Sequence, residues 1–338
     1  MKVKTNELNS ILASLIPGVS FRGIEEQLSH FMFTGNNIVA YNDWFCIKYP
    51  FVTDFSCSVK ADKFQKVISG ITEDELDLSL EKNRIKISSK SIKAKLSVLV
   101  EGSIMDFIEK ITPGDLWENL PEGFLEGIQL CLFSASRDMT KKELCAIHVD
   151  GSRIYSTDNY RLSLYKMEDV ISEVLLIHAM SAVELVKFPV VDFNTTGSWI
   201  HFRTKDGIVF SMKKMMGSGI SNIENVFQVK GMGAAIPAQF KDALDTVISV
   251  FSEGASYLDR KVAIEIKEGI LRCRNQGQEG WVESNIEIET DREVSFLINP
   301  VFLSQVLERT TRMKISKDKA LFVRRNFKHV MVLPRKSS

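Results

Sequence analysis

Three observations predict an α+β fold built from one repeating unit. Apolar residues recur at helical spacing in short stretches, each stretch is followed by runs that alternate every second residue, and this succession returns along the whole chain. With 338 residues and 44% hydrophobic side chains, the chain has enough apolar material for two or three cores.

The first unit opens with a helix over 6–16, where Leu8, Ile11, Leu12, Leu15 and Ile16 share one face and Pro17-Gly18 stops it. Strands follow at Phe31-Phe33, Ile38-Ala40 and Phe45-Ile47, with Gly35-Asn36-Asn37 turning between the first two. The second unit has its helix over 61–71, then strands at 76–80, 85–87 and 92–98. A third helix spans 124–136, followed by strands at 146–149, 153–156 and 162–164; a fourth spans 179–188, with strands near 191–193, 199–202 and 208–212. The fifth helix, 239–252, precedes strands at 262–266, 270–274 and 282–288; the last, 300–309, precedes 313–315, 321–323 and 329–333. The helices align residue by residue, with Phe64, Val67 and Ile68 opposite Leu303, Val306 and Leu307. Paired, the units make three similar domains at 1–116, 117–231 and 232–338, each with helices on one face of its strands. Three such domains in a row suggest an arc, and two arcs a ring.

Composition narrows the function. Basic and acidic side chains number 43 each, which excludes a polybasic-tail binder but not local contact with nucleic acid. The five cysteines lack C-x-x-C spacing, so neither a metal nor a disulfide framework is expected, and a reducing compartment is the natural reading. No apolar run approaches the ~18 residues of a membrane span, which predicts a soluble, cytoplasmic protein with no membrane partner. Phosphate-loop, zinc-protease and nucleophile-elbow motifs are missing and the histidines are isolated, so no catalytic residue and no cofactor are expected.

Between two alternating runs lies Ser156-Thr157-Asp158-Asn159-Tyr160-Arg161-Leu162. The corresponding loop of the first domain reads Tyr41-Asn42-Asp43, so Asp158 matches Asp43 and predicts an Asx-type turn, while Tyr160-Arg161-Leu162 has no counterpart there. This loop, Arg274-Asn275-Gln276-Gly277-Gln278-Glu279-Gly280 and Val330-Met331-Val332-Leu333-Pro334 resemble, in order and spacing on the threefold repeat, the A-T-D-G-H-R-L, N-N-P-x-x-E and C-terminal M-P segments of the bacterial sliding clamp, the beta subunit of DNA polymerase III. The resemblance covers essentially the whole chain. It implies the DNA clamp fold and a head-to-tail homodimer that encircles double-stranded DNA without reading its sequence. It also implies partners, a DNA polymerase and a clamp loader, that dock through short peptides.

Residue by residue, the resemblance places a partner-peptide pocket at Thr157, Tyr160, Arg161, Leu162, Ser221, Asn225, Val226, Met331, Leu333 and Pro334. DNA contact falls to Arg22, Lys60, Lys63, Lys66, Arg137, Lys141 and Lys142, residues that would equally serve as a solvated face. Phe107, Val250 and Phe251 are candidates for the ring-closing contact or, alternatively, for domain core. Departures are concentrated near the pocket: Asn159-Tyr160 stands for Gly-His, Ile220-Ser221-Asn222-Ile223 for F-P-D-Y, and the usual P-x-R-L ending is replaced. A diverged, phage-encoded member fits them. The alternatives are a clamp-fold interaction scaffold that does not productively encircle DNA and an enzyme whose site shows no motif.

Overall fold

A strand that the periodicity did not announce precedes each of the helices it did, so the repeating unit is strand, helix and three strands. The computed structural model describes residues 1–21, 26–100, 103–217, 220, 222–249, 260–276, 280–290 and 292–334. The first unit comprises β1 (Lys2–Lys4), α1 (Thr5–Leu15), β2 (His30–Thr34), β3 (Asn37–Tyr41) and β4 (Phe45–Pro50). The second comprises β5 (Ser56–Lys60), α2 (Ala61–Ser69), β6 (Glu75–Glu81), β7 (Arg84–Ser88) and β8 (Lys93–Leu99). A short helix α3 (Ser103–Glu109) leads to β9 (Glu118–Asn119), α4 (Phe124–Cys131), β10 (Ala146–Asp150), β11 (Arg153–Thr157) and β12 (Arg161–Lys166). Next come β13 (Leu175–His178), α5 (Ala179–Leu185), β14 (Val190–Thr196), β15 (Trp199–Thr204) and β16 (Val209–Lys213). After a second short helix α6 (Ile223–Val226) follow β17 (Met232–Ala235), α7 (Phe240–Ile248), β18 (Val262–Lys267), β19 (Ile270–Gln276) and β20 (Trp281–Glu287). The chain closes with β21 (Val294–Ile298), α8 (Pro300–Leu307), β22 (Arg312–Ile315), β23 (Lys319–Arg324) and β24 (Phe327–Val332).

The helices form for the reasons their spacing suggests. In α1, Leu8, Ile11, Leu12 and Leu15 are buried on one stripe; in α8, Phe302, Leu303, Val306 and Leu307 are. Asn299 caps α8 by accepting from Val301 N (3.0 Å) and Phe302 N (3.1 Å), and Pro300 follows at the position where its missing N–H costs nothing. The third helix is shorter than its pattern, because after Cys131 the chain tightens into a 3₁₀ turn at Leu132–Ser134.

Leading strands are exchanged between paired units, three times over. β1 pairs with β6 and β5 with β2; β9 pairs with β14 and β13 with β10; β17 pairs with β22 and β21 with β18. Among the described residues all pairings are antiparallel and give a twelve-stranded, an eight-stranded and a four-stranded sheet. Sheet hydrogen bonds also join one pair of units to the next, through β4 with β16 and β12 with β24. By contacts the chain therefore divides into two units, Met1–Leu120 with Met180–Met215, and Pro121–Ala179 with Met216–Ser338. Among the described residues no helix is long and apolar enough to cross a membrane.

A buried histidine is bonded to a serine on the neighbouring strand in two places, between β15 and β16 and between β12 and β24. In the first unit His201 Nδ1 lies 2.7 Å from Ser211 Oγ; in the second His329 Nδ1 lies 2.8 Å from Ser163 Oγ. Burial, then the nearby Lys48 charge, push His201 down to about 4, and burial, with the Arg161 and Arg309 charges, also lowers His329 well below the usual histidine value. Both are neutral when folded but protonate near 6.5 when unfolded, so stability is complete above about pH 6.5 and falls as the pH drops towards 4. For His201 the loss is on the order of 3 kcal/mol. Thermal melts at pH 7.5 and 4.5 are expected to show it, and His201→Gln is expected to flatten the dependence; equal flatness in the native chain would refute the assignment.

Candidate functional site

The loop between β11 and β12 is held by its own side chains. Asp158 Oδ1 accepts from Tyr160 N (3.0 Å) and Arg161 N (3.1 Å), while Thr157 Oγ1 donates to Arg161 O (2.6 Å). Asn159 takes a left-handed φ of 74°, a conformation Asn reaches more readily than most residues, which explains how it can stand for Gly. In the first unit the same bond is made by Asn42, whose Oδ1 accepts from Trp44 N (2.9 Å) and Phe45 N (3.0 Å). The match of Asp158 to Asp43 is thus corrected by one residue, and Trp44-Phe45-Cys46 is the counterpart of Tyr160-Arg161-Leu162.

Arg161 faces inward. Its side chain is 7% exposed; Nε donates to Asp158 Oδ2 at 2.9 Å, Nη1 to Gln305 Oε1 and Nη2 to Phe133 O, and the guanidinium lies 3.9 Å from the Phe302 ring centre. It therefore secures the loop to α8 and to the 3₁₀ turn after α4, and little of it is left for an external carbonyl.

The strand register sorts the remaining residues. Leu162 pairs with Val330 and Arg161 with Met331, so Leu162 and Val330 share one face of the sheet and Arg161 and Met331 the other. On the first face Leu162 and Val330 pack with Tyr155, Leu164, Ile223, Phe227, Val229 and Leu321 in one apolar cluster. Met331 and Leu333 belong to the opposite core, among α7, α8 and the strands beneath them. The residues of β24 on the Leu162 face of the sheet are consequently Val330 and Val332. Alternation puts Val330 and Val332 on one face and Met331 and Leu333 on the other, but the face turned towards Leu162 follows only from pairing.

Three exposed apolar side chains border this floor: Tyr160 (53%), Val226 on α6 (38%) and Val332 (57%). Val332 N donates to Tyr160 O at 2.9 Å, which joins two of them, and Ile223 and Phe227 hold α6 onto the floor. Asn225 is exposed on α6, Thr157 and Pro334 are half-buried, and Ser221 lies outside the described residues. Charging the rim tests the arrangement without touching the core. Val332→Asp is expected to weaken an apolar peptide by about thirtyfold, about 2 kcal/mol, at unchanged melting temperature. Leu333→Ala would instead open a core cavity at about 2–5 kcal/mol of stability. Titration with a labelled peptide, beside a melt, separates the two; unchanged affinity in Val332→Asp removes the rim from the site.

Lys60, Lys63 and Lys66 are exposed at the end of β5 and along α2, where Lys63 Nζ lies 3.8 Å from Asp62. Arg137, Lys141 and Lys142 are exposed in the other unit, on the stretch between α4 and β10. Phe107 lies on α3 with its ring 5.5 Å from Tyr41 and 6.4 Å from Trp199. Arg22, Val250 and Phe251 lie outside the described residues. Among the described residues no group of three or more His, Cys, Asp or Glu side chains could hold a metal ion.

No family model matches the sequence, and no curated protein does. Solved structures do. A DnaN sliding clamp (DNA polymerase III subunit beta) from Bartonella birtlesii, bound to griselimycin, superposes with a TM-score of 0.85 at 18% identity, covering 99% of each chain. The chain has the sliding-clamp fold. The beta subunits of Streptococcus pyogenes (TM-score 0.85, 15% identity) and Thermotoga maritima (0.82, 18%) likewise match over 99% of both chains. The sliding-clamp likeness thus spans the chain end to end while sequence identity stays low. The Asx loop, the inward arginine and the apolar floor lie on this fold within a single contact unit.

Proposed function

We propose that this protein is a DNA polymerase processivity factor: a sliding clamp that closes around double-stranded DNA as a homodimer and tethers a polymerase through a peptide pocket at Tyr160, Leu162, Val226, Val330 and Val332. The observation that carries the reading is the full-length likeness to sliding clamps, with three repeat pairs in one chain. The proposed domains are 1–116, 117–231 and 232–338. The role is mechanical, in the cytoplasm, and the clamp loader is served by the same pocket. The floor is apolar and preformed, which suits a short segment with aliphatic or aromatic anchors. Zero net charge leaves the DNA contact to local cations, namely Arg22, Lys60, Lys63, Lys66, Arg137, Lys141 and Lys142, and makes it weak until the ring closes.

Ring closure needs two unlike edges, and complementary ones exist. Among the described residues β8 meets β5 through Ser58↔Leu99 and Val59↔Val98, and β20 ends the four-stranded sheet. Both strands are seven residues long. Laid antiparallel between two copies along the part of β8 that β5 leaves unpaired, 93–97, β8 and β20 bring Lys93 to Glu287. Phe107, seated on its own unit, is not needed for this contact.

Co-purification with circular and linearised DNA tests the whole reading, because only a closed ring stays on a circle and slides off an end. Retention on circles alone is expected, with a particle of about twice the 38.2 kDa chain. Lys93→Glu is expected to weaken both dimer and retention severalfold, and Glu287→Lys in the same chain to restore them. Equal behaviour on both DNA forms would favour the clamp-fold scaffold instead.

A further inference from the structure

The place where β4 meets β16 repeats, element by element, the place where β12 meets β24. Asn42 and Asp158 make the same bonds to the second and third residues after them. Phe45 pairs with Met212 as Arg161 pairs with Met331, and Cys46 with Ser211 as Leu162 with Val330. Trp44 and Tyr160 are both exposed aromatics at the loop tip. A short helix covers each floor: α3 buries Met105 and Ile108 against Tyr41 and Cys46, as α6 and the residue after it bury Ile223 and Phe227 against Leu162. Phe107 precedes its buried Ile108 as Val226 precedes its buried Phe227, and each is 38% exposed.

One feature of the two sites differs. At the first, the residues bordering the helix are Tyr41 and Trp199, and the Phe107 ring rests on both. Trp199 pairs with Lys213, next to Met212, as Lys319 pairs with Val332, next to Met331. The counterparts of the three rings are therefore Thr157, Val226 and Lys319, none of them aromatic. Where three rings fill the space between helix and strand edge, smaller or flexible side chains leave it open.

We propose that the β4–β16 join is a second peptide-docking site of the same build, held shut by the chain's own Phe107. It rests on the pocket reading above. Against Tyr41 and Trp199, the Phe107 ring fills the space that Thr157, Val226 and Lys319 leave at the other join for a partner's apolar anchor. Each chain accordingly accepts one short apolar peptide, and removing the plug adds a second, at the first site.

Calorimetric titration of the full chain counts the sites, with a hexapeptide carrying two leucines and one phenylalanine as the probe. The native chain is expected to take one equivalent. The triple variant Tyr41→Thr, Phe107→Val, Trp199→Lys, which installs the residues of the open site, is expected to take two. Adding Val332→Asp should then lower the count to one. Phe107→Ala alone, which disturbs the core least, should also gain an equivalent, at weaker affinity. An equal count in the native chain and both opened variants overturns the proposal, as does a native count of two. A native count of none overturns the pocket reading separately, and the gain of one in the opened variants still decides this proposal.

Discussion

Arg161→Ala is expected to destabilise the unit that contains it by about 3 kcal/mol, the larger of the effects foreseen at the pocket. The reason is the Asp158 carboxylate, whose side chain is only 13% exposed and whose Oδ2 is met by Arg161 Nε. Removing one partner of a buried ion pair leaves the other charge without compensation, which costs about 3–5 kcal/mol. Asp158 keeps its two backbone donors, which places the loss at the lower end of that range. The guanidinium's contact with the Phe302 ring and its bonds to Gln305 and Phe133 O vanish as well. A fall of about 10 °C in the melting of this unit should accompany it. Peptide binding should go too, because the loop that carries Tyr160 loses its hold on α8. Pairing the change with Asp158→Asn should recover part of the stability, since the stranded charge is then gone. A melting temperature within about 1 °C of the native chain would show that the buried pair does not secure the loop.

Gly231→Ala is expected to cost at least about 3 kcal/mol, whereas Gly233→Ala, two residues on, is expected to be neutral within about 0.5 kcal/mol. A Cβ at Gly231 would lie 1.8 Å from Ile315 O and 2.5 Å from Ile315 C, both backbone atoms of the strand that β17 joins. No rotamer change can relieve such a clash, so β17 must leave β22 or the strand must shift. At Gly233 the nearest atom is Met313 O at 3.9 Å, an ordinary contact. Urea unfolding of the two variants side by side makes the comparison. Equal midpoints would mean that β17 does not lie against β22 as described.

Much of the architecture was legible in the residues because its signals are local. The stripe Phe64-Ile68 and its twin Leu303-Leu307 are read from spacing, and both are buried. The alternation of Leu76, Leu78, Ile85 and Ile87 survives as β6 and β7. The leading strand Leu175–His178 was missed because it is buried on both faces, so its apolar run does not alternate and merges with the helix pattern that follows. The linker helices α3 and α6 were missed because one or two turns are too few to show a period.

At the pocket the division is sharper. By itself the sequence determined that Asp158 makes a turn, that Val330 and Val332 share one face of a strand and Met331 and Leu333 the other, and that the units recur in pairs. It did not determine which face meets Leu162. Period-two alternation names two faces without saying which is inside, and a shift of one residue in pairing exchanges them. That choice is made by the register Leu162↔Val330, a hydrogen-bonding decision between strands more than a hundred and sixty residues apart. The exchange of leading strands is decided in the same way, because a strand's donors and acceptors are alike on every neighbour. Only the packed tertiary structure decides which neighbour they meet.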